Sequence, residues 1–164
     1  ALSFPSVQKI DFIEYARGAG TFDVLVVPTN TKLGESSRKQ IDAAINRSKA
    51  FGVSSKIKEP DYISVCMSIQ VYFYSNVSPT EQSLLRSSIR NNVKIYLQNI
   101  PIGGEIIINQ IRAAVLSTDT QKIKDMTIVD FCFDGKPMLK RNIKLSPTEL
   151  IILDETKIDP IQVI

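Results

Sequence analysis

The chain has 164 residues, 43% of them hydrophobic, with 20 basic side chains against 17 acidic ones. That is enough to bury a real core in one domain or two small ones, and too balanced in charge to argue for nucleic acid by itself. Histidine and tryptophan are absent, and the missing histidine removes the commonest general base, pH switch and metal ligand. No apolar run approaches the roughly 18 residues of a membrane span, and no signal-peptide pattern precedes the first strand.

In chain order, Val7 to Tyr15 reads as a strand, and Arg17-Gly18-Ala19-Gly20 as a turn, because glycine tolerates positive φ. Phe22 to Val27 is a continuous apolar run with one Asp, the pattern of a strand covered on both faces. Gly34-Glu35-Ser36-Ser37 offers caps for a helix from Ser37 to Ala50 with Ile41, Ala44, Ile45 and Ser48 as its inner stripe. Gly52 is placed for a left-handed C-terminal cap. Residues 53–60 read as a connector.

A strict alternation follows. Ile63, Val65, Met67, Ile69, Val71 and Phe73 are apolar, and Ser64, Cys66, Ser68, Gln70 and Tyr72 stand between them. Side chains alternate across a strand, so one face is greasy and the other mostly polar. Ser78-Pro79-Thr80-Glu81 is a capping box with proline at the first helical position. The helix it opens carries Leu85, Ile89, Val93, Tyr96, Leu97 and Ile100 on one side. Strand 63–73 spans about 36 Å and helix 79–100 about 33 Å, so the helix is long enough to roof the strand.

Pro101-Ile102-Gly103-Gly104-Glu105 breaks that helix, and a shorter one follows with Ile107, Ile108, Ile111, Val115 and Leu116 apolar. Thr127 to Asp134 reads as a strand with Val129, Phe131 and Phe133 on one face, ended by an Asp134-Gly135 turn. Ser146-Pro147-Thr148-Glu149 repeats the capping box letter for letter. Its sequel, Leu150-Ile151-Ile152-Leu153, is short and apolar with Pro160 soon after, and reads as a strand against the cap signal.

The chain offers scaffold and little chemistry. Gly103-Gly104-Glu105 before a helix could cradle an anion, but the glycines and lysine of nucleotide-binding loops are missing, and a helix-to-helix turn is the simpler account. The Gly18/Gly20 pair reads as a plain hairpin turn. Asp130, Asp134, Asp154 and Glu155 are the carboxylates available for acid–base work, yet they fall at strand ends or on wet faces. No GxSxG elbow and no EF-hand spacing occurs. Cys66 and Cys132 lie in strands far from any CxxC spacing, which suits two free thiols in a reducing compartment; a disulfide would need adjacent strands with facing side chains. No catalytic, cofactor-binding or metal-binding residue is expected, and no cofactor.

Nucleic acid has two features in its favour. Arg38, Lys39, Arg47 and Lys49 sit on the first helix, and Tyr62, Tyr72, Phe73, Tyr74, Phe131 and Phe133 on strands, as in a ferredoxin-like RNA- or DNA-binding sheet. Phe73, Phe131 and Phe133 fall on the core face, however, and no RNP-type pattern occurs. Tyr62, Tyr72 and Tyr74 lie among serines on the even face. Tyrosine is favoured at protein interfaces, which makes that face a candidate docking surface.

The order and spacing of these elements resemble a known family. The segments are GAGTFDVLVVP ending at Pro28, a helix ending before Gly52-Val53, ISVCMSIQVYF, LLRSSIRNNVKIYLQNI, PIGGEIIINQIRAAV, KDMTIVDF and LSPTELIILDETKI. Together, over residues 7–160, they are similar to the C-terminal half of baseplate J-like proteins of contractile phage tails. The resemblance implies an α+β fold of two small α/β modules with mixed or antiparallel sheets, each covered by helices on one face. It divides the chain into residues 1–54 (strand, strand, helix) and 55–164 (strand, helix, helix, strand, strand). It also supports the strand over 150–153. It implies a structural wedge subunit of a baseplate, not an enzyme, located in the virion tail and assembled in the host cytoplasm. The partners it implies are copies of this chain and other wedge or hub proteins, with no small-molecule substrate, nucleic acid or membrane.

Overall fold

In the computed structural model, residues 4–29, 32–153 and 160–164 are described. The fold is α+β, as expected, and the chain divides into two compact units, Ala1–Asp61 and Tyr62–Ile164.

The first unit is a three-stranded sheet with one helix. Strands β1 (Val7–Glu14) and β2 (Thr21–Pro28) form an antiparallel hairpin, and β3 (Ser54–Lys58) joins the other side of β2 in parallel. Being central, β2 is buried continuously from Asp23 to Pro28, which is what its unbroken apolar run required. Val24 and Val26 pack with Val7, Leu33, Ile57 and Ile41, the last from helix α1 (Glu35–Ser48).

Three expectations here need correction. The connector over 53–60 contains β3, whose polar Ser-Ser-Lys-Ile-Lys letters hide a strand that exists because β2 offers it an edge. Ser48 is exposed, so the inner stripe of α1 narrows to Ile41 with Ala44 and Ile45 half-buried. The helix ends at Lys49 in extended conformation, and Gly52 (φ 81°) serves the following turn into β3 rather than a helix cap.

In the second unit, β4 (Asp61–Phe73) is flanked by β6 (Ile123–Phe133), antiparallel, and by β10 (Ile161–Val163), parallel. The two-residue β7 (Lys136–Pro137) extends the sheet beyond β6 through a hairpin whose turn residues Asp134 (φ 51°) and Gly135 (φ 70°) are both left-handed. Strand β9 (Glu149–Ile152) also pairs with β4, and β5 (Glu105–Ile106) pairs with β8 (Ile143–Lys144). Val65, Met67, Ile69 and Val71 form one core with Ile89, Val93 and Leu97 of α2 (Pro79–Gln98) and Ile111 and Val115 of α3 (Ile108–Leu116). At about 1.5–3 kcal/mol each, the four β4 side chains contribute roughly 6–12 kcal/mol as an upper bound.

The expected face of β6 is wrong at Val129, which is 38% exposed. Ser68 pairs with Asp130 but Ile69 with Ile128, so Val129 is an extra residue in a bulge; a second break, between Tyr72↔Asp125 and Phe73↔Ile123, does the same to Lys124. The inward residues are therefore Phe133, Phe131, Ile128, Met126 and Ile123, the partners of the odd-numbered β4 positions.

The glycine pair after α2 also finds its reason. Gly103 has φ 64°, with Pro147 Cα only 3.1 Å from where a Cβ would stand, and a Cβ on Gly104 would meet the Pro101 carbonyl at 2.8 Å. Only glycine fits at either position.

Candidate docking surface

Because the odd-numbered β4 side chains are spent on the core, the even-numbered ones emerge on the opposite face. Tyr62 (37%), Tyr72 (43%) and Tyr74 (44%) are exposed, as the alternation predicted. Between them Ser64, Cys66 and Ser68 of β4, with Asp130 and Cys132 of β6 and Gln162 of β10, line a shallow depression of about 310 Å³. This is a half-wet surface of hydroxyls, thiols and amphipathic rings, the composition that suits contact with another protein.

Among the described residues the other sequence candidates do not converge. Asp130 lies on β6 opposite Ser68, while Asp134 sits in the hairpin turn. Asp154 and Glu155 lie outside the described residues. Among the described residues no cluster of three or more Cys, Asp or Glu could hold a metal. Gly103 and Gly104 spend their N–H groups inside the chain, on the Glu149 carbonyl (3.0 Å) and the Pro101 carbonyl (2.9 Å), so neither glycine N–H is free for an anion. Phe131 is buried and Phe73 and Phe133 pack against the core, so of the six strand aromatics only Tyr62, Tyr72 and Tyr74 stand exposed as an RNA-binding sheet would need. On α1, Arg38 pairs with Glu59 at 3.2 Å, and Lys39 and Arg47 are exposed.

One polar group was not anticipated. Asp23, in the apolar run of β2, is 1% exposed. Lys58 Nζ of β3 stands 2.6 Å from its Oδ2 and Arg17 Nε, in the hairpin turn, 3.1 Å from Oδ1. The Lys58 hydrogen bond holds the carboxyl below its ordinary value against the opposing push of burial, and Arg17 adds to it. The signal was present in the sequence: a lone Asp in a strand buried on both faces must find a cation. The cluster fastens the turn to both neighbouring strands, since the Arg17 guanidinium also donates to the Phe22 and Ser54 carbonyls, at 3.4 Å each.

Among the described residues the displaced titratable groups move away from neutrality. Asp125 is lowered, first by its hydrogen bond from Arg112 and then by the Met126 N–H. Glu81 is lowered to about 2 by the Ser78 N–H and hydroxyl and by Lys122. Burial, then the Cys132 thiol, pushes Cys66 up to about 11. General acid–base catalysis wants values near the working pH, and none of these shifts supplies one.

No protein-family model matches the chain, and no curated protein does. Among solved structures it resembles a chain in the structure titled "Cryo-EM structure of the anti-feeding prophage (AFP) baseplate, 6-fold symmetrised", with a TM-score of 0.58 at 13% identity. The match covers 92% of this chain and 34% of that one, so this chain spans about a third of the length of its neighbour. At this identity the likeness is one of fold.

Proposed function

We propose that this protein is a structural building block of a contractile-tail baseplate, a wedge subunit of the baseplate J-like kind that acts by protein–protein assembly. The observation that carries the reading is the shared fold over 92% of the chain with a chain of a sixfold-symmetrised baseplate. The open tyrosine-bearing face of the second unit supports it. On this reading the partners are other copies of the chain and other wedge or hub proteins, and the location is the tail baseplate of a virion or virion-like particle put together in the host cytoplasm. The mechanism is mechanical: two rigid modules, divided near residues 54–61, hold interfaces that rearrange when the tail fires.

The test is electron microscopy of purified tail particles carrying a tagged copy of this chain. The expected result is density for it at the baseplate in multiples of six; a chain found free in cell extracts and never in particles would overturn the reading. Tyr72→Ser with Tyr74→Ser should lower incorporation while leaving thermal stability nearly unchanged, since both rings are already solvent-exposed. Salt-sensitive binding to oligonucleotides at low ionic strength would favour an RNA- or DNA-binding module instead.

A further inference from the structure

Cys66 and Cys132 are direct cross-strand partners on β4 and β6, in a stretch of unbroken register from Val65↔Phe133 to Ser68↔Asp130. The Asp134 N–H donates to the Ser64 carbonyl at 2.8 Å, which makes that position a hydrogen-bonded pair. Two residues along, Cys66 and Cys132 are a pair of the same kind. Such pairs hold their Cα atoms about 5.5 Å apart, within the roughly 4.4–6.8 Å that a disulfide spans, and closure draws the Cβ atoms together by about 1 Å. Both thiols are free and partly exposed, on the face turned away from the core, and both line the shallow depression where a small reagent can reach them. Neighbouring strands with facing side chains are the geometry the sequence alone could not supply, because β4 and β6 are separated by two helices and no tight turn sets their register.

We propose that Cys66 and Cys132 form a closable dithiol, a modification site for low-molecular-weight disulfides of the oxidised-glutathione class, whose closure staples β4 to β6. In the first step one thiol gives up its proton and attacks a sulfur of oxidised glutathione. The glutathione S–S bond breaks, and one glutathione leaves as a thiolate that takes up the proton. In the second step the other cysteine attacks the protein-side sulfur of the mixed disulfide, and the second glutathione departs in the same way. Two cysteine thiols are oxidised to one disulfide, and one glutathione disulfide is reduced to two thiols. With its pKa raised to about 11, Cys66 rests as a thiol near neutral pH until a disulfide is supplied. The bond would close a long loop of chain and stabilise the folded unit chiefly by restricting its unfolded states.

The experiment treats the full chain with oxidised glutathione and reads intact mass, free thiols and thermal unfolding. The expected product is a monomer lighter by two hydrogens, with no free thiols, restored by dithiothreitol. Its unfolding midpoint should rise by about 10 °C or more. Cys66→Ser and Cys132→Ser should each stop at a stable glutathione adduct, because the second attack is lost. A wild-type chain that keeps glutathione adducts, forms disulfide-linked dimers or leaves both thiols unreacted would overturn the proposal. If either serine variant fails to fold, the wild-type mass and thiol count decide alone.

Discussion

The same four letters, Ser-Pro-Thr-Glu, occur at residues 78–81 and 146–149 and do two different things. At the first site Ser78 and Glu81 close a full reciprocal box: the Ser78 Oγ accepts from the Glu81 N–H (3.4 Å) and the Glu81 Oε2 accepts from the Ser78 N–H (3.0 Å). A helix of 20 residues follows. At the second site half of the box survives, with the Ser146 N–H donating to the Glu149 Oε2 at 2.7 Å. The Glu149 N–H turns instead to the Ser146 carbonyl at 2.9 Å, closing a tight turn, and the chain enters β9. A cap is worth about 1 kcal/mol, which can mark where a helix starts but cannot create one. The decision lies downstream. After Glu81 come Ile89, Val93 and Leu97 at four-residue spacing, all fully buried. After Glu149 comes a short apolar run in β9, which pairs with β4, while Gly103 lies too close to Pro147 to carry a Cβ and donates its N–H to the Glu149 carbonyl.

The comparison can be broken at several points. Ile89→Ala should have the largest effect, costing about 2–5 kcal/mol in denaturant unfolding, because it empties a core position on which α2 depends. Should it prove nearly neutral, the cap would matter more than argued. Gly103→Ala should cost about 2 kcal/mol, since it forces a side chain into left-handed backbone and against Pro147, and circular dichroism will show α2 intact while the turn at 146–149 loosens. Ser78→Ala should cost about 1 kcal/mol and Ser146→Ala less than about 0.5 kcal/mol; equal losses would mean the two boxes work alike. The smallest effect is one of pH. Glu81 in the folded chain lies at about 2, below its ordinary value of 4.5, so its stabilisation is complete above roughly 4.5 and is lost as the pH falls toward 2. Its carboxylate is 44% exposed, so solvent screens the Lys122 pair, and Glu81→Gln should flatten only the acid limb of a stability-versus-pH curve.

What the sequence disclosed, and what it withheld, follows the range of the forces involved. The alternation through β4, the stripe of α2 and the double burial of β2 are local patterns written into neighbouring letters, and they were legible. So was the exposure of Tyr62, Tyr72 and Tyr74, which follows from the parity of β4. The strand at 149–152 could be read against its own cap because its sequel is too short and too apolar for a surface helix. By contrast β3 and β10 are short pieces that exist because β2 and β4 offer them parallel edges, and no local pattern announces such a partner. Val129 was misplaced because strict alternation assumes one residue per rung. The Asp23 cluster draws on Arg17 and Lys58 from two other segments, and the facing of Cys66 and Cys132 needed a register that only the fold supplies.

The two bulges of β6 carry a consequence of their own. The residues that face inward, Phe133, Phe131, Ile128, Met126 and Ile123, would keep the same β4 partners if Val129 and Lys124 were both removed and the ladder closed up. The core therefore gains nothing from the two extra residues; what they change is the bend and coil of the strand. They set curvature, and a chain shortened at both positions should keep its interior while presenting a flatter outer face.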